Sequence, residues 1–185
     1  MLTAVKLKEC RQCGSKFSPW SSTQTVCGRV CAAKLVKTEK AAEAKQDRAK
    51  RESLKTIPQL IAEAQKEFNA FIRLRDQLAG HPCISSGRPL DWSGNGVDAG
   101  HYRSTGAASH LRFDEDNCHA QSKHDNQYLS GNAVDYRLNL IKRIGLARVE
   151  RLEASNEPIK WGRDTLRQIK TIYRAKTRAL KKEHS

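Results

Sequence analysis

Two close cysteine pairs near the N-terminus constrain this chain more than any other feature. Cys10 and Cys13 have two residues between them, and Cys27 and Cys31 have three. Close pairs joined by a short loop are what a tetrahedral Zn²⁺ site needs. The loop between them carries Gly14, Phe17, Pro19 and Trp20. A module this small cannot bury enough surface to fold without the metal. Structural Zn²⁺ on Cys10, Cys13, Cys27 and Cys31 is therefore expected, in an N-terminal module over residues 1–33. The first pair followed by Gly14 resembles a zinc knuckle.

The segment MLTAVKLKECRQC lacks the apolar centre of a signal peptide, and no apolar run approaches bilayer length. A cytoplasmic, reducing setting is expected, with no membrane partner. The six Cys are then ligands or free thiols rather than disulfides. Thirty-four Lys and Arg against 20 Asp and Glu give a net charge of +14. An excess of that size favours a nucleic-acid partner, because each phosphate it neutralises releases counterions. A merely soluble basic surface is the alternative. Hydrophobic residues make up 38% of the chain, so the core is small or divided between modules.

Residues 34–56 read as a basic helical linker with no apolar stripe beyond Leu35 and Val36. Lys50 and Arg51 either meet DNA phosphates or belong to a solvated spacer. Residues 57–155 begin with a helix after Thr56, with Pro58 at its start. Leu60, Ile61, Ala64, Phe68, Phe71, Ile72 and Leu78 give it a buried face, and Gly80 and Pro82 end it. Turn-rich sequence continues to Val97. A strand is predicted over about 97–103, a second over about 111–114, and a helix from Lys123 or His124.

After Gly131 the predicted helical stripes are Val134, Leu138, Ile141 and Ile144, then Leu146, Val149 and Leu152. Pro158 and Gly162 break that pattern. Residues 156–185 form a basic C-terminal helix from about Arg163, with Leu166, Ile169, Tyr173 and Leu180 on one side. Arg167, Lys170 and Arg174 on the other side are either phosphate contacts or a solvated face. Arg103 and Arg112 are further candidates for DNA contact.

The segment from Asp98 to Asn132 carries the chemistry. A His at a strand end (His101), Asn117, His119 and Asn126 fall in the order strand, loop, strand, helix. That order resembles the ββα-metal, or HNH, nucleases. There a His takes a proton from the water that attacks phosphorus, and a divalent ion stabilises the leaving oxygen. His101 is the candidate base and Asn117 its orienter. Asp98, His119 and Asn126 are candidate ligands for Mg²⁺ or Mn²⁺. Strand alternation separates Asp98 from His101 unless the chain bends at Gly100. Taken singly, each residue also has a plain structural role open to it, such as Asn117 capping the next element.

Longer motifs carry a more specific resemblance. NAFIRLRDQL from Asn69, HPCISSGRPL from His81, DAGHYRSTGAA from Asp98, LRFDEDNCHAQ from Leu111, NQYLSGN from Asn126 and YRLNLIKRIG from Tyr136 resemble the NinG, or Rap, recombination proteins of lambdoid phages. The resemblance implies a structure-specific endonuclease for branched intermediates such as Holliday junctions and D-loops. It also implies a divalent ion, the cytoplasm of a bacterial host, recombination proteins of phage or host as partners, and a homodimer if cuts are symmetric.

One departure stands out. Where the family pattern has two more Cys pairs for structural zinc, this chain has Cys83, Ser86, Ser122 and Asp125, and Tyr128 replaces a polar residue. Serine is a poor zinc ligand. Cys83, Cys118, His124 and Asp125 are a substitute set in principle. Either the core holds by packing and cuts, or it is a degenerate copy that only binds DNA. The expectation is an α+β protein: a four-cysteine zinc module and a small ββα core surrounded by helices.

Overall fold

The computed structural model describes residues 6–129 and 131–184. The first five residues of the expected zinc module, and Ser130 of the NQYLSGN segment, lie outside the described residues. The chain divides between Lys55 and Thr56 into two units.

The first unit opens with a short antiparallel pair, β1 (Lys8–Glu9) and β2 (Lys16–Phe17), with Lys8 opposite Phe17. The turn between them needs Gly14, whose φ is +73° and whose N–H reaches Cys10 O at 2.9 Å. Helix α1 (Arg29–Leu54) comes next and takes Cys31 into its first turn. It buries no residue. Its Ala, Lys and Glu content makes it polar all round, which suits a helix without a packing face.

The second unit holds α2 (Ile57–Leu78), β3 (Val97–His101), β4 (Cys118–Ser122), α3 (Lys123–Tyr128), α4 (Ala133–Ile144), α5 (Leu146–Ala154) and α6 (Arg163–Glu183). Thr56 starts α2 with a capping box: Gln59 N donates to Thr56 Oγ1, and Thr56 N to Gln59 Oε1 at 2.8 Å. Leu60, Ala64, Phe68, Phe71 and Ile72 are buried, as the spacing predicts, whereas Leu78 is partly exposed. This face packs on Leu166 and Tyr173 of α6, and Phe68 meets the Tyr173 ring edge-on at 4.8 Å. Such aromatic pairs add roughly 0.5–1.5 kcal/mol beyond burial.

The second predicted strand is misplaced. Residues 109–111 form a short 3-10 turn, and the strand lies at Cys118–Ser122. Leu111 and Phe113 are apolar because they enter the core from a loop. Asp114 turns the chain there: its Oδ1 accepts from Asp116 N at 2.8 Å and its carbonyl from Asn117 N at 3.2 Å. The α4 stripe is also shifted. Val134 and Leu138 are exposed, while Tyr136 and Leu140 are buried beside Val149 and Leu152 of α5.

β3 and β4 pair antiparallel without interruption, from Val97 opposite Ser122 to His101 opposite Cys118. One face of this hairpin carries Ala99 and Cys118 into the α2–α6 core. By strand alternation the other face carries Asp98, Gly100, His119 and Gln121. α3 continues directly from β4 and contacts both strands. No helix among the described residues is long and apolar enough to cross a membrane.

Candidate functional site

The four N-terminal sulfurs converge. All lie within 4.8 Å of one another, with Cys13 and Cys27 at 3.8 Å and Cys27 and Cys31 at 3.5 Å. Zn–S bonds of about 2.3 Å in a tetrahedron place sulfurs about 3.8 Å apart, so the cluster fits Zn²⁺. Burial works against the Cys10 thiolate. The backbone N–H groups of Cys27, Cys13 and Gln12 outweigh it and bring Cys10 down to about 6. Cys27 is pushed up to about 12 because it shares hydrogens with Cys31, Cys10 and Cys13. Four thiolates this close need a cation between them.

In the second unit His101 ends β3, stacked on Phe68 with ring centroids 6.1 Å apart. Its Nε2 is 2.9 Å from Arg112 O, and a carbonyl can only accept, so Nε2 carries the proton. Nδ1 keeps its lone pair, with the weakly donating Cys118 thiol 3.8 Å away. Burial lowers the His101 pKa, and the Arg112 charge adds to this against the pull of the carbonyl.

Among the described residues, Asn117 forms no hydrogen bond with the His101 ring. It is fully buried and clamps the loop: Nδ2 donates to Arg103 O at 3.0 Å and Leu111 O at 3.1 Å, and Oδ1 accepts from Arg103 N at 2.8 Å. Leu111 precedes Arg112, so the clamp holds the carbonyl that holds His101.

Asp98 and Asn126 do come together. Asp98 Oδ2 accepts from Asn126 Nδ2 at 3.0 Å and from Gln127 Nε2 at 3.1 Å. β3 does not bend at Gly100, so Asp98 and His101 stay on opposite faces of the strand. A Cβ at residue 100 would lie 1.9 Å from Gln121 Oε1, which explains the glycine. Gln121 Nε2 donates to Ser85 Oγ at 2.6 Å and Gly131 O at 2.7 Å, while its Oε1 is buried with no partner among the described residues. A carboxylate, an amide and this orphaned oxygen on one side of the hairpin are hard donors, which fit Mg²⁺ or Mn²⁺.

His119 is on the same face of the hairpin, but its ring is engaged by other partners. Its Nε2 donates to Asp116 O at 3.1 Å, which leaves Nδ1 to accept from Arg75 Nη2 at 3.0 Å. Burial lowers its pKa against the pull of Asp76. Beside it, buried Asp76 accepts from Arg75 Nε at 2.7 Å. Neither Arg75 nor Asp76 was expected at a site. The signal was present, since Leu60, Ala64, Phe68, Ile72 and Asp76 form one i, i+4 row that places an acid on the buried face.

Cys83 and Asp125 also meet, at 3.2 Å, and Ser122 Oγ donates to the same Asp125 Oδ2 at 2.6 Å. Cys118 is not with them, because it pairs with His101 on the core face. Among the described residues, only the N-terminal cysteines form a three-ligand or larger metal group.

The predicted DNA-contact residues fall into two sets. Lys50 and Arg51 are exposed on α1. Arg103 binds Leu152 O at 2.8 Å and Asn156 Oδ1 at 2.9 Å, and Arg112 reaches Gln65 Oε1 at 3.3 Å. Arg167 pairs with Asp164, Lys170 with Glu63 and Arg174 with Glu67, at 3.1, 2.7 and 2.6 Å.

The family profile described as "Bacteriophage Lambda NinG protein" matches residues 2–183. The chain is 43% identical over 135 residues to "Protein ninG" of Salmonella phage P22, covering 72% of this chain and 63% of that protein. It is 42% identical over 135 residues to "Protein ninG" of Escherichia phage lambda, with the same coverage of 72% and 63%. It is 44% identical over 131 residues to "Protein ninG" of Enterobacteria phage H19B, covering 70% and 60%. The chain thus spans less than two thirds of the length of these relatives. No solved structure matches it. With a profile match along nearly its whole length and these identities, the chain belongs to the bacteriophage NinG family.

Proposed function

We propose that the protein is a metal-dependent DNA endonuclease that cuts branched recombination intermediates such as Holliday junctions and D-loops. One observation carries the reading: the Arg112 carbonyl, held through Asn117, fixes the proton of His101 on Nε2 and leaves Nδ1 as a base. A lowered pKa keeps that base neutral at physiological pH. His101 takes a proton at Nδ1 from the water that attacks phosphorus. Asp98 and Asn126 would hold Mg²⁺ or Mn²⁺, which supplies neutralisation of the charge on the phosphate. A site with one carboxylate relies on substrate phosphate to complete the coordination.

Lys50 and Arg51 track DNA phosphates, and the zinc module selects DNA shape or a partner. The protein works in the bacterial host cytoplasm beside other recombination proteins, and a symmetric junction cut would require a dimer.

The decisive test is cleavage of four-way junction and linear duplex DNA by the protein and by His101→Ala, with Mg²⁺, Mn²⁺ or chelator. Junction cutting that needs both metal and His101 is the expected result. Tight junction binding with no cutting would sink the proposal. A second reading, a zinc-containing DNA-binding protein without catalysis, is favoured by one observation: Asp98 and His101 lie on opposite faces of β3.

A further inference from the structure

A cavity of about 480 Å³ opens between α2, the loop before β3, the start of α3 and the end of α6. Its wall includes Arg73, Leu74, Trp92, Asp98, Lys123 and Lys181. The volume falls in the range of about 300–1,000 Å³ within which proteins enclose small ligands.

We infer that this cavity is a pocket for one unpaired nucleotide of a DNA strand. Three cations and one carboxylate line it, so the balance favours an anion. Asp98 is already held by the amides of Asn126 and Gln127. Arg73 and Lys123 form no ion pair among the described residues, in contrast to Lys170 and Arg174, which are committed to Glu63 and Glu67.

An indole in the same wall as the cations is the combination that binds single-stranded nucleic acid. The ring stacks on a base, and the cations hold the phosphates on either side. A paired base cannot enter, because its faces are covered within the helix. Asp98 belongs both to this wall and to the pair proposed to hold the divalent ion. A nucleotide in the pocket therefore lies beside the proposed metal ligands. The pocket is thus a device for recognising a branch point, and this role rests on the nuclease reading above.

The test is a binding assay with the full-length protein and no added Mg²⁺ or Mn²⁺. It compares a duplex with the same duplex ending in a single-stranded fork, with 2-aminopurine as the first unpaired base. Trp92→Ala should weaken fork binding about tenfold or more while duplex affinity stays within about twofold, as expected from the loss of one stacked base. Trp92→Phe should restore most of the fork affinity, and Lys123→Ala should also weaken fork binding more than duplex binding. Quenching of 2-aminopurine should occur with the wild type and with Trp92→Phe.

Equal losses on both substrates, no loss on the fork, or unquenched 2-aminopurine in the wild type would overturn the inference. If Trp92→Ala fails to fold, the wild-type quenching and Lys123→Ala decide. Cleavage plays no part in this readout. An inactive protein that keeps a Trp92-dependent fork preference upholds the pocket and removes the nuclease reading. An active nuclease without that preference does the reverse.

Discussion

Asp76 near the end of α2 accepts the backbone N–H of Ala120, in the middle of β4, at 2.7 Å. This bond ties the long helix to the hairpin that carries the candidate site. Burial opposes the charge on Asp76. The Arg75 guanidinium outweighs it and holds the carboxyl well below the usual range. Asp76→Ala should cost about 3–5 kcal/mol, because it leaves the half-buried Arg75 and Arg143 without their partner. Thermal melts would measure it. A pKa depressed on folding gives stability that is present above the unfolded value, about 3.9, and is lost as pH falls below it. Wild-type melting temperature should therefore drop more steeply below pH 4 than that of the variant. Parallel curves would refute the assignment.

His101 must be neutral to accept a proton, and burial lowers its pKa. The acid limb of the cleavage rate should therefore fall below the ordinary imidazole value of about 6.5. Activity should be constant above that limb and lost as pH falls through it. His101→Ala should slow cutting by about 10²–10⁴-fold with little change in junction affinity. A pH–rate profile inflecting above pH 7 would point to a different base.

Asn117→Ala should act at a distance from the ring. It removes the bonds to Arg103 and Leu111 and frees the loop that presents the Arg112 carbonyl. Cleavage should fall and the acid limb should shift, since His101 loses its fixed tautomer. An unchanged pH profile with reduced rate would mean that Asn117 supports only the fold.

Gly100→Ala places a Cβ 1.9 Å from Gln121 Oε1. Overpacking of this kind costs about 1–3 kcal/mol. Adding Gln121→Ala should recover part of that loss, and a double-mutant cycle would show the coupling. Additive losses would show that the two side chains do not compete for space.

Removing zinc should unfold the region before Lys55 and leave the rest protected. The four-cysteine cluster belongs to the first unit, whereas the second unit has its own apolar clusters. Hydrogen exchange on the whole chain with and without chelator would report this directly. Equal loss of protection throughout would contradict it.

The cysteine pairs, the Thr56–Pro58 start of α2, β3, the beginning of α3 and the apolar side of α6 were legible because each depends on local spacing or local capping. β4 was not, because Leu111 and Phe113 reach the core through a turn, and their apolar character mimics a strand. The commitment of Lys170 and Arg174 was equally hidden. Their partners Glu63 and Glu67 lie more than a hundred residues away in sequence and become neighbours only when α2 packs on α6. Asp98 and Asn126 were read as ligands of one ion, and the fold joins them. His119, read as a third ligand, shares their face of the hairpin and is hydrogen-bonded to Arg75 and Asp116, partners that sequence spacing does not reveal.

The group that orients His101 is a main-chain carbonyl, and so no codon specifies it directly. The side chain of residue 112 can therefore change in evolution without erasing the Nε2-protonated tautomer. The inheritable instruction resides at Asn117, whose amide dictates where that carbonyl points. A drifting lineage would lose that tautomer by mutating a residue whose hydrogen bonds all go elsewhere.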